Sequence, residues 1–323
     1  MFVSLKSIYK MIYIYNILKD YLKEHFNLKL YASTIILVSL LLYFNFKYDI
    51  EDSYIDSFYK TPWHTVLFFF FQGIPYYLTL ILVYLFTDNK QFLTNKRFWL
   101  LSILGFVVLA LDRGFYHQIY FAEWISDKYS YRYIRKIANS LISLLVTVLP
   151  YYIIYKVWLK KDLTHFYGLQ NLRQVKLRPY WIMILLMVPL IYAASFQPDF
   201  LKEYPRYQRA GGSLIIKYFN FPKGVVVGIY ELSYAFSFFI VELIFRGYFI
   251  FALVKYLGKD VVLPMAVTYC VLHFGKPLGE AISSFFGGFL LGVIALKTKN
   301  IYGGILIHVG IALLMELFAF LQH

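Results

Sequence analysis

VELIFRGYF, Val241 to Phe249, sets a carboxylate and a guanidinium four residues apart in a run otherwise fit for lipid. In a helix Glu242 and Arg246 share one face, with the acid toward the amino terminus, the favourable order for an intrahelical ion pair. An ionisable side chain at mid-bilayer costs several kcal/mol and calls for a partner or a role. The stretch therefore reads as an apolar membrane helix with something to hold.

The rest of the chain has the same character. Of its 323 residues, 60% are hydrophobic and 15% charged, and the apolar ones fall in long blocks. That is more apolar surface than one soluble core hides, so the expected fold is all-α, a polytopic membrane helical bundle. Blocks at 31–46, 63–86, 98–111, 137–159, 180–196, 225–257, 261–274, 281–296 and 301–321 give about eight or nine transmembrane helices. Before them, residues 1–30 have Ile8, Ile12, Tyr15, Leu18, Leu22 and Phe26 at helical spacing, with Lys6, Lys10, Lys19 and Lys23 on other faces. Such a segment is expected to lie on the membrane surface as an amphipathic interfacial helix; a partner-binding helix has the same pattern. It carries no apolar signal-peptide core.

The net charge of +14 lies in short segments between apolar blocks. It sets topology and meets lipid headgroups rather than nucleic acid, and it puts the amino terminus in the cytoplasm of a cell-membrane protein. The single cysteine, Cys270, excludes an internal disulfide. Residues 31–196 form an N-terminal set of membrane helices. The polar stretch Gln197 to Lys223, with three prolines and two glycines, marks a loose boundary before the segment 225–323.

Few ionisable residues lie deep. Glu242, Arg246, His273 and His308 are inside apolar helices, whereas Glu231 and Glu316 are nearer helix ends and are expected to snorkel. At 1.5 Å per residue, Glu242 lies about 20 Å from Lys255, His273 about 20 Å from Asp260 and His308 about 12 Å from Asn300, three loop positions expected on one side of the membrane. One acid and two imidazoles thus fall in one slab. Gly287, Gly288 and Gly292, with Gly303, Gly304 and Gly310, let the last two helices approach their neighbours closely. A carboxylate with two imidazoles suits hydrolysis: one group deprotonates water and another hydrogen-bonds the oxyanion. The same three side chains, Glu242, His273 and His308, are also a chemically reasonable zinc set with a fourth position for water. Against both stand an ion pair of Glu242 with Arg246 and ordinary interhelical hydrogen bonds for the histidines.

VELIFRGYF, then TYCVLHFGKP at 268–277, then SFFGGFLLGVIALKTKNIYGGILIHVGIA at 284–312, resemble in order and spacing the three motifs of the CPBP family, membrane proteases related to CAAX prenyl endopeptidases and bacteriocin-processing proteins. The resemblance implies that Glu242 and Arg246 pair to brace their helix, that Tyr269 stands at an aromatic support position, that His273 helps activate water and that His308 serves the oxyanion. It implies a membrane-associated peptide or lipidated protein as substrate. Two family positions differ: the first acid of motif one is Val241, and the oxyanion amide of motif three is Ala312. The expected activity is intramembrane endoproteolysis with Glu242 and His273 activating water. The alternative is a catalytically degenerate protein of the same fold, acting in bacteriocin-type immunity or as a binding scaffold. A transporter would show repeats or broken helices, and neither is evident.

Overall fold

The computed structural model describes residues 5–322, with side chains from residue 13 onward. No strand occurs among the described residues. The helices are α1 Leu5–His25, α2 Leu28–Tyr48, α3 Pro62–Phe86, α4 Lys96–Gly114, α5 Gln118–Ile125, α6 Tyr131–Ile154, α7 Arg178–Ala194, α8 Pro198–Glu203, α9 Arg206–Arg209, α10 Gly212–Phe219, α11 Lys223–Glu242, α12 Val254–Leu257, α13 Val262–Val271, α14 Leu278–Thr298 and α15 Tyr302–Gln322. Seven helical stretches are long and apolar enough to cross a membrane. Two of the expected crossings, α7 and α13, are shorter.

Boundaries follow local chemistry. Asn27 accepts the Leu30 N–H to start α2, and Asn95 accepts from Arg97 and Phe98 to start α4. Pro62 and Pro179 occupy first turns, where a missing N–H costs nothing. Between α11 and α12 the chain widens into a π-helix, Leu243–Ala252, and every residue of that stretch is buried.

α13 is the hub, since all ten of its residues are buried. It packs on α14, α3 and α2, and the π-helical stretch crosses the same core. Gly288 and Gly292 of α14 make the close approach to α13 feasible: a Cβ would stand 2.8 Å from the Tyr269 ring at Gly288 and 2.5 Å from Met265 Cε at Gly292. A Cβ on Gly287 would meet none of the described residues within 4 Å.

The amphipathic segment at the amino terminus is helical from Leu5 and docks on α7 and α14. Its Tyr21 is buried and donates to the Lys259 carbonyl (2.9 Å), while Lys259 pairs with Glu24. Residues 1–4 of that expected element lie outside the described residues. The polar boundary 197–223 is folded too. Its short helices α8, α9 and α10 cap one end of the bundle, with Tyr207 stacked on Phe320 at 5.1 Å.

Candidate active site

Glu242 ends α11, and the π-helical stretch begins at the next residue. Its carboxylate is fully buried, as is Arg246. Arg246 Nη1 donates to Glu242 Oε1 at 2.9 Å, so the expected ion pair exists. The same oxygen takes a second bond, from His308 Nδ1 of α15 at 2.9 Å. Glu242 Oε2 faces Gly304, where a Cβ would come within 2.0 Å of it. Glycine at that position is what allows the carboxylate to reach α15.

A carboxylate only accepts, so His308 Nδ1 carries a proton. On the other side of the ring, Nε2 stands 2.7 Å from the Tyr269 hydroxyl, which donates to it when the imidazole is neutral. Phe238 stacks on the same imidazole with ring centroids 5.0 Å apart. Arg246 in turn places its guanidinium 4.3 Å from the centre of the Tyr269 ring, a cation–π contact that occupies a group whose Nε and Nη2 otherwise lack partners among the described residues.

His273 follows α13 in the turn leading to α14. Its Nδ1 donates to the Tyr269 carbonyl at 2.9 Å, and its ring lies 4.7 Å from the Tyr269 ring. Because a carbonyl only accepts, Nδ1 carries the proton and Nε2 presents a lone pair. Both histidines are half-buried.

The structure thus joins Arg246, Glu242, His308 and Tyr269 in one continuous chain of contacts and brings His273 alongside through Tyr269. Glu242 is enclosed between Arg246 and His308, which both bond its Oε1. The three-residue zinc set is not formed: no group of three His, Cys, Asp or Glu among the described residues is arranged to hold a metal ion. Both ring nitrogens of His308 are already engaged, so the donor set does not fit the metal.

Glu316 is also corrected. It is buried rather than snorkelling, and both its oxygens accept the Arg206 N–H at 3.0 Å, which ties α15 to the cap. Val241 is half-buried against the main core cluster and Ala312 is buried, so neither restores a polar group. Residue type alone did not assign the roles of Gly304 and of the Tyr269 hydroxyl. The Gly303–Gly304 pair one helical turn before His308 was the available signal. A cavity of 280 Å³ lies elsewhere, lined by Tyr77, Leu80, Phe92, Trp99 and neighbours on α3 and α4, and holds no residue of this chain of contacts.

Residues 224–314 match the family model described as Type II CAAX prenyl endopeptidase Rce1-like. The segment is consistent with the CPBP family. The Rce1-like match begins one residue into α11 and ends within α15, so it coincides with the part of the bundle that carries every residue of the site. No curated protein and no solved structure matches the chain.

Proposed function

We propose that the protein is an intramembrane endopeptidase acting on a membrane-associated peptide or lipidated protein, with its amino terminus in the cytoplasm of a cell membrane. The observation that carries this reading is the lone pair on His273 Nε2, which has no partner among the described residues, beside an imidazole that Glu242 and Tyr269 hold at both nitrogens. His273 takes a proton from water as the hydroxide oxygen bonds the scissile carbonyl carbon, and the carbonyl electron pair moves to oxygen. The oxyanion forms on the side of His308 and Tyr269. Its collapse breaks the C–N bond, and the leaving amine takes the proton back from His273. Glu242 acts one step removed, by fixing the His308 ring through its Nδ1 proton.

The test uses full-length protein in liposomes containing a membrane-anchored reporter peptide. His273→Gln is expected to lower cleavage by at least about 100-fold while helicity by circular dichroism is retained. Equal cleavage by both proteins rules the reading out. One observation favours the second reading, a scaffold without activity: Glu242 is satisfied locally, and Val241 and Ala312 are apolar. In that case wild type cleaves nothing.

A further inference from the structure

The wiring of His308 leaves its ring with no free nitrogen, so a substrate oxygen has to be met by another group. We infer that the Tyr269 hydroxyl is the hydrogen-bond donor to the oxyanion, with His308 and Glu242 lined up behind it. The inference rests on the endopeptidase reading above and adds a catalytic residue to it.

Three observations lead there. First, Nδ1 of His308 is committed to Glu242 and Nε2 to Tyr269, at 2.9 and 2.7 Å. Second, the Tyr269 ring cannot swing aside to uncover Nε2. It is held by Phe245 edge-on at 5.1 Å, by His273 at 4.7 Å and by Arg246 at 4.3 Å. The fourth side is the backbone of α14 at Gly288, where even a Cβ would stand 2.8 Å from the ring. Third, the cation against its face favours negative charge developing on the phenol, which strengthens the hydroxyl as a donor. Preorganised donors of this kind act at the moment charge develops and need no rearrangement.

The proton count is simple. When the Tyr269 O–H turns from His308 to the oxyanion, the phenol oxygen becomes free to accept. The O–H hydrogen bond thus passes from Nε2 of His308 to the oxyanion, while Nδ1 stays on Glu242 at 2.9 Å. No net proton passes through Tyr269: its bond to hydrogen stays intact while His273 receives the proton of the attacking water. Tyr269 thereby fills, from α13, the place in which Ala312 of α15 offers no donor.

Steady-state cleavage of the anchored peptide in liposomes tests this with two replacements. Tyr269→Phe keeps the ring and is expected to lower kcat roughly 100- to 1000-fold, the cost of one oxyanion donor, with KM within about twofold. Incorporation of difluorotyrosine at 269 keeps the hydroxyl but makes it more acidic, and is expected to move the alkaline limb of the pH–rate profile to lower pH. A Tyr269→Phe protein as active as wild type, or more active, overturns the inference and leaves the endopeptidase reading standing. So does a difluorotyrosine profile superimposable on the wild-type one. A wild type that cleaves nothing, with His273→Gln identical to it, overturns both.

Discussion

Glu242 Oε1 receives hydrogen bonds from Arg246 Nη1 and His308 Nδ1, so one buried oxygen compensates a guanidinium and orients an imidazole. Glu242→Gln keeps the shape and removes the charge, leaving Arg246 buried without a counterion. A buried pair broken on one side costs about 3–5 kcal/mol. The variant is therefore expected to melt at lower temperature in detergent, and His308 is expected to lose its Nδ1-protonated signature in nitrogen-15 NMR. Unchanged melting and spectra would show that Glu242 does not hold the ring. The glycines give a sharper contrast. Gly304→Ala drives a Cβ into Glu242 Oε2, whereas Gly287→Ala meets no described residue within 4 Å. The first is expected to cost about 1–3 kcal/mol by overpacking and to abolish cleavage, while the second melts with wild type. Both belong to glycine pairs that look alike in the sequence.

Among the elements, the π-helical stretch adjoins the site and the cap packs on α11 and α15. Leu243–Ala252 starts directly after Glu242, so the widened turn sets where Arg246 falls relative to Tyr269. The cap is joined to the core by Glu316, whose oxygens take the Arg206 N–H, while the Arg206 guanidinium sits 5.7 Å from the Tyr204 ring and 5.6 Å from that of Tyr234. Glu316→Ala is expected to free the α8–α10 segment, read as faster tryptic cleavage after Arg206 and Arg209 in the folded protein. Equal digestion rates would mean that aromatic packing alone seats the cap. A proline- and glycine-bearing stretch reads as a linker because local sequence reports turns, not what they pack against.

At the scale of the whole molecule, surface ion pairs tie the end of the bundle that holds Lys255 and Asp162. Asp162 accepts from Lys255 Nζ and pairs with Arg97 Nη2, both at 2.8 Å. The Lys255 hydrogen bond and the Arg97 charge hold its carboxyl below the usual range. A depressed carboxyl contributes stability above its unfolded pKa of about 3.9 and loses it as pH falls through the folded value. Asp162→Asn is thus expected to cost about 1 kcal/mol or less at neutral pH. Its melting temperature should converge on that of wild type in acid below about pH 3.9. A gap that persists in acid would point to packing instead of charge.

The sequence by itself determined the class of the molecule. Apolar blocks of spanning length leave a helical bundle as the way to satisfy the backbone in lipid. It also determined that Glu242 pairs with Arg246, because four-residue spacing is local geometry. The resemblance of VELIFRGYF, TYCVLHFGKP and the final glycine-rich run to family motifs made Glu242, His273 and His308 the candidates. Only the tertiary structure decided which neighbours each one meets, because the identity of a neighbour on another helix depends on how helices rotate and how near they come. Gly304 brings α15 close enough for His308 to reach Glu242, and Gly288 lets Tyr269 pack closely on α14 with its hydroxyl on His308. The same packing closes Glu242 off from water and leaves the lone pair on His273.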